Sequence, residues 1–178
     1  MKIAYKFRMY PNKEQKEMLN KSFWCVRFLW NHRVNSFNNQ EKELKTTTEL
    51  RKEFEQLTEV SAWILQQKDR DFIEYKKQFF SKSRKKKLWK CKFKKKWISN
   101  DSFRLPKPKF TLLNHKIRLE KIWEVKIIKD RKIIWNPISV TVSKDKCWWF
   151  YVSILVEKEI KKLEKTWEKI WIDVWLKE

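Results

Sequence analysis

Not one of the 178 residues is glycine, whereas twelve are tryptophan. Ordinary usage of ~7% predicts roughly 12 glycines in a chain of this length. Glycine is the residue that takes positive φ without steric cost. A chain that lacks it must build each hairpin turn and helix end from residues that avoid that region, or force a side chain into it. The turns are therefore where this sequence and its fold are most in conflict. Tryptophan enrichment for stacking on bases is one reading of the composition; substitution of tryptophan for glycine at particular positions is the other.

Charge narrows the class. Lys and Arg number 44 against 22 Asp and Glu, a formal net charge of +22. Such an excess points to a polyanionic partner, DNA or RNA first, with a merely solvated basic surface as the competing reading. No apolar run approaches the ~18 residues of a membrane span, and Met1-Lys2-Ile3-Ala4-Tyr5-Lys6 lacks the hydrophobic region of a signal peptide, so a cytoplasmic, nucleoid-associated protein is expected. Cys25, Cys91 and Cys147 are odd in number and form no CxxC pair, which supports neither a disulfide framework nor a zinc site. His32 and His115 have no partner motif.

The periodicities predict an α+β chain. Residues 2–10 alternate, with Ile3, Tyr5, Phe7 and Met9 on one face and Lys2, Lys6 and Arg8 on the other, the pattern of a half-buried strand. Pro11 and Asn12 end it, and Asn12 with Gln15 makes a capping-box start. From Lys13 to about Asn38, Leu19, Phe23, Val26, Trp30, Val34 and Phe37 recur at helical steps, with Lys21, Arg27 and Arg33 on the polar face and Trp24 crowding the stripe. A second helix follows with Leu50, Phe54 and Leu57 inward. A third, from near Ser61, has Ile64, Leu65, Phe72, Tyr75 and Phe79 as its stripe. Residues 13–80 thus read as a three-helix bundle, for which helix-turn-helix is a fair local description.

Lys82 to Lys96 contains ten basic residues and no acid, so 81–102 is expected to be a flexible linker until phosphates neutralise it. Leu88, Trp89, Phe93 and Trp97 punctuate the run; stacking on unpaired bases and docking on the protein core both fit them. Beyond Asn100 the pattern is extended: Phe110–Leu113 and Lys116–Leu119 around an Asn114-His115 turn, Val125–Ile127, then a long hairpin with Ile138, Val140 and Val142 outbound and Phe150, Val152, Ile154 and Val156 returning. These strands predict a small barrel over 1–12 and 103–157, closed by the N-terminal strand. A charged connector, 158–169, leads to a new strand at Ile170-Trp171-Ile172-Asp173-Val174.

Several of these segments resemble one family. Tyr5-Lys6-Phe7-Arg8-Met9-Tyr10-Pro11-Asn12, Cys25-Val26-Arg27-Phe28-Leu29-Trp30-Asn31-His32, Leu65-Gln66-Gln67, Ser139-Val140-Thr141-Val142-Ser143-Lys144-Asp145, Tyr151-Val152-Ser153-Ile154-Leu155-Val156-Glu157 and Ile172-Asp173-Val174 are similar, in order and across the chain, to the OrfB/TnpB family of insertion-sequence transposase-associated proteins. The resemblance implies an RNA-guided DNA endonuclease acting in a transposition and recombination context. Its barrel would be wedge-like and interrupted by a helical recognition lobe, and residues 170–178 would be the truncated start of an RNase H/RuvC-like nuclease domain. That domain cuts DNA with Mg2+ or a similar divalent ion, two of which are held by an Asp, a Glu and a second Asp, because both the attacking and the departing oxygen need stabilising. Only the first carboxylate is placed, at Asp173, a latent metal ligand; a strand-end aspartate is the plainer reading of the same residue. Its partner acids and the family's zinc-binding cysteines would lie beyond Glu178, so this chain alone is expected to be inactive and to need no cofactor.

The family's first nuclease motif carries glycine where Trp171 and Trp175 stand here, and usually glycine at Trp24; Trp123, Trp135, Trp148 and Trp167 also fall at glycine-like turns, while Trp30 does not. The expectation is that UGA codons meaning glycine in the source organism have been written as tryptophan. The partners implied are guide RNA and double-stranded DNA, with no membrane and no small-molecule substrate. Candidate contacts are Lys6 and Arg8 on the first strand, Arg27 on the first helix, Gln66 for a base edge, and Arg84, Lys85, Lys86, Lys87, Lys90, Lys92, Lys94, Lys95 and Lys96 for phosphates. A second class remains open: a stand-alone helix-turn-helix-like regulator derived from a mobile element. An in-frame continuation past codon 178 with downstream Glu and Asp would separate the two.

Overall fold

A computed structural model describes residues 1–41, 44–80, 91–96, 98 and 101–158, and of Phe79 the backbone alone. The expectations for Arg84, Lys85, Lys86, Lys87, Lys90, Trp89, Trp97, Trp167, Trp171, Asp173 and Trp175, and for the side chain of Phe79, lie outside the described residues, as do residues 159–178 of the connector and final strand.

The alternation of the N-terminus gives β1 (Lys2–Tyr10), with Phe7 and Met9 buried. At its end Asn12 caps helix α1 (Lys13–Asn38): Gln15 N–H donates to Asn12 Oδ1 at 2.8 Å and Asn12 N–H to Gln15 Oε1 at 3.0 Å, the expected capping box. The Gln15 amide also donates to the Glu124 carbonyl at 2.8 Å, which fixes where the helix leaves the sheet. Leu19, Phe23, Val26, Trp30 and Val34 are buried as the spacing predicts.

Arg33 is not on a solvated face. It is 5% exposed and makes a two-pronged pair with Asp69, Nε to Oδ1 at 2.7 Å and Nη2 to Oδ2 at 3.0 Å. The reason is that α1 is covered on two sides, by the sheet and by α3, so its buried arc is wider than one stripe.

Thr46 and Glu49 form a second capping box at α2 (Thr47–Glu53), which Phe54 ends in an extended conformation before the 3-10 turn Glu55–Thr58. Leu50 and Leu57 are fully buried against Cys25, Leu29 and Leu65, and Phe54 packs at the margin of that cluster. Helix α3 (Ala62–Phe80) buries Ile64, Leu65 and Phe72.

Six further strands follow: β2 (Asp101–Pro106), β3 (Phe110–Leu112), β4 (Lys116–Leu119), β5 (Trp123–Ile128), β6 (Pro137–Lys144) and β7 (Phe150–Glu157). Asp101 and Ser102, read from sequence as linker, already pair with Lys144 and Ser143. All neighbours run antiparallel in one seven-stranded sheet, β2-β6-β7-β1-β5-β4-β3, that curls into a half-barrel. The N-terminal strand therefore does not close a barrel. It lies between β7 and β5, and β2 and β3 are the two ends of an open sheet. A register irregularity between Pro137 and Ser139 takes Ile138 out of the alternation expected of Val140 and Val142. The inner face, with Phe103, Leu105, Ile117, Val125, Val140, Val152 and Ile154, receives Leu19, Phe23 and Val26 of α1.

Two tryptophans hold left-handed backbone, Trp123 at φ 68° and Trp148 at φ 66°, with Gln40 and Lys121 the other positive-φ positions among the described residues. Both indoles are exposed, at 75% and 54%. Trp148 ends the β6–β7 loop, where its N–H donates to the Asp145 carbonyl at 3.2 Å and Asp145 N–H donates to the Trp149 carbonyl at 3.0 Å. A three-residue hairpin loop closed by a left-handed residue is a place where glycine is preferred. Trp24 and Trp135 take no positive φ, and Trp30 is a core residue edge-on to Phe72 and Tyr75.

Candidate nucleic-acid interface

The outer face of the half-barrel is set by the same alternation that buries its inner face. On β1 the outward residues Lys6, Arg8 and Tyr10 follow one another, and register places Ser153 beside Lys6, Tyr151 and Ile128 on either side of Arg8, and Lys126 beside Tyr10. Lys6 Nζ sits 4.3 Å from the centre of the Tyr151 ring. The Arg8 guanidinium lies 3.4 Å from the centre of the Trp149 ring and 5.2 Å from that of Tyr10. Its Nε is buried without a hydrogen-bond partner among the described residues, so it is held by ring contacts. Tyr10 and Trp149 are 40% and 46% exposed. Cations interleaved with accessible rings on a sheet face are what unpaired bases and their phosphates require. Tyr10, Tyr151 and Trp149 were not singled out from sequence; the first two occupy the period-2 positions opposite the buried residues and were legible there.

The second basic region is a strap, residues 91–96, laid along α1. The Asn38 amide accepts from Cys91 N–H at 3.1 Å and donates to the Cys91 carbonyl at 3.2 Å. Seven residues earlier, two helical turns away, Asn31 does the same to Lys94, at 2.7 and 2.9 Å. Between them the Trp30 indole N–H donates to the Lys92 carbonyl at 3.2 Å. The sequence expectation of a linker free until neutralised is thus corrected for this segment: helix side chains satisfy its backbone, and Cys91 is buried with Trp30, Val34 and Phe72. Lys92, Lys95, Lys96 and Phe93 face outward, while Lys94 is partly buried with its ammonium 4.6 Å from the Trp30 ring centre. Burial first, and then the charge of Lys68, lowers the Lys94 pKa from 10.5 to about 8.

Of the remaining candidates, Arg27 is tied to Asp101 at 2.8 Å, joining α1 to the first residue of β2. Gln66 is exposed on α3, whereas its neighbour Gln67 is buried. Lys144, also missed, lies where β6 meets α1, donating to Asn20 Oδ1 at 2.9 Å with its ammonium 4.7 Å from the Trp148 ring centre; burial lowers its pKa. Among the described residues no three His, Cys, Asp or Glu side chains converge in a way that could hold a metal ion, and no helix is long and apolar enough to cross a membrane.

Half-barrel, helical cover and these cationic surfaces define a basic α+β protein of the nucleic-acid-binding kind. Residues 1–39, which are β1 and α1, match the family HTH_OrfB_IS605, described as a helix-turn-helix domain. The chain is also similar to a protein of Streptomyces pristinaespiralis that is named, provisionally, an RNA-guided DNA endonuclease, with 30% identity over 175 residues. That similarity covers 90% of this chain but 42% of the relative, so the chain spans less than half of the relative's length. The two findings support the resemblance to the OrfB/TnpB family that the sequence motifs carry.

Proposed function

We propose that the chain is the nucleic-acid-binding portion of a transposase-associated, RNA-guided DNA endonuclease, holding a guide RNA and engaging double-stranded target DNA. The observation that carries this reading is the outer face of the half-barrel, where Lys6 and Arg8 alternate with the rings of Tyr10, Tyr151 and Trp149. A net charge of +22 supports it, as does the name of the Streptomyces relative. Phosphates supply affinity and its salt dependence, and the exposed rings select unpaired bases over a closed duplex. On this reading Asp173 is a carboxylate of a following two-metal nuclease site that takes Mg2+, and the strap lysines and Gln66 contact the nucleic acid.

A second reading, a stand-alone DNA-binding regulator derived from the same kind of element, is favoured by the match of residues 1–39 to a helix-turn-helix family. Purification of the chain from cells carrying its native flanking sequence, followed by sequencing of bound RNA, separates the two. One discrete RNA encoded beside the gene is expected. Recovery of no RNA, with tight binding to a duplex, overturns the guide-RNA reading in favour of the regulator.

A further inference from the structure

The geometry points to a built phosphate site away from the sheet face, where Lys94 of the strap meets Lys68 of α3 over the Trp30 ring, and assigns it to a phosphodiester of the bound nucleic acid. The inference rests on the proposed nucleic-acid function and names one contact within it. Both ammonium groups address the same indole, Lys94 Nζ at 4.6 Å and Lys68 Nζ at 5.9 Å from the ring centre. Lys68 has a side chain only 7% exposed and lies 3.0 Å from Asp71 Oδ2. The other oxygen of Asp71 is taken by Arg104 at 3.0 Å. Lys68 and Arg104 are both paired to the Asp71 carboxylate, which acts on Lys94 only through space, so the three cations and one acid sum to 3 − 1 = +2 when all are protonated. Asp101, the next acid within electrostatic reach, is engaged by Arg27 at 2.8 Å.

The excess charge cannot relax by withdrawal of the strap, because Asn31 holds Lys94 through both its N–H and its carbonyl. Burial, and after it the charge of Lys68, holds the Lys94 pKa down at about 8, so the charge persists at neutral pH and loss of a proton relieves it only above that value. An anion with several acceptor oxygens relieves it better, since ammonium and guanidinium donors can each reach a separate oxygen of one phosphate. A nucleic-acid phosphate is indicated because the strap continues on either side with outward Lys92, Phe93, Lys95 and Lys96, so that a polymer leaving the site meets further cations and a ring.

The test is an NMR titration of the Lys94 side chain in the whole chain, free, with inorganic phosphate, and with a single-stranded oligonucleotide lacking terminal phosphates. With either probe the Lys94 titration is expected to move from about pH 8 toward 10.5. Lys94→Gln is expected to reduce the slope of log affinity against log salt by about 0.7, the value for one single-strand phosphate contact, and Lys94→Arg to keep it. An unmoved Lys94 titration with the oligonucleotide bound at saturation overturns the site while leaving nucleic-acid binding intact. A shift with inorganic phosphate and no oligonucleotide binding upholds an anion site and sinks the functional reading on which its assignment rests.

Discussion

Trp148 and Trp123 carry bulky side chains in a region of φ that favours glycine, at a cost of roughly 1–2 kcal/mol each. Neither indole is buried in the core, where packing would offset it. Trp148→Gly and Trp123→Gly are accordingly expected to raise stability by about 1 kcal/mol apiece in urea unfolding, whereas Trp30→Gly, which removes a core side chain, lowers it. Loss of stability in both turn variants would contradict the idea that these positions belong to glycine. The conflict was legible in composition, since a chain without glycine must pay somewhere; that two particular turns carry it emerged only from their backbone. Arg33 shows the opposite limit. Its neighbours predict a polar face, and its pairing with Asp69 depends on the placement of α3, which helical spacing within α1 does not contain.

The strap shows what local pattern misses at the scale of an element. Ten like charges in fifteen residues read as a linker, yet two asparagines spaced two turns apart on α1 hold its described part by the backbone. Asn38→Ala is expected to free Cys91, now buried, to react with a thiol reagent under native conditions, while Cys147, exposed, reacts in both proteins and Cys25 in neither. Cys25 is doubly protected, because burial raises its pKa to about 11. Equal Cys91 protection in wild type and variant would mean that the clamp does not hold the strap.

Lys94 makes the strap pH-dependent with a definite sign. Its folded pKa lies below the unfolded 10.5, so between pH 8 and 10.5 the unfolded chain binds more protons and stability rises with pH from this group. Below about 8 the full penalty of a buried ammonium is present. Lys94→Met is expected to be more stable relative to wild type at pH 7 than at pH 10; a difference constant with pH would refute the assigned burial.

At the scale of the whole molecule, alternation announced which residues of each strand face the core, and helical spacing announced most of the α1 stripe. Strand order was not announced. A half-barrel and a closed barrel carry the same period-2 pattern, and only long-range pairing puts β1 between β7 and β5 and leaves β2 and β3 as ends. The consequence for function is that β1 presents Lys6, Arg8 and Tyr10 in the middle of a continuous outer face, flanked by Tyr151 and Ile128, and not at a seam. The proposed function requires that this face bind nucleic acid. It is tested most directly by measuring the affinity of wild type, Lys6→Ala and Tyr151→Ala for a single-stranded RNA across a range of salt concentrations. Lys6→Ala is expected to lower the slope of log affinity against log salt by about 0.7, and Tyr151→Ala to weaken binding by about 1–3 kcal/mol with the slope unchanged. Affinities and slopes indistinguishable from wild type in both variants would contradict the account.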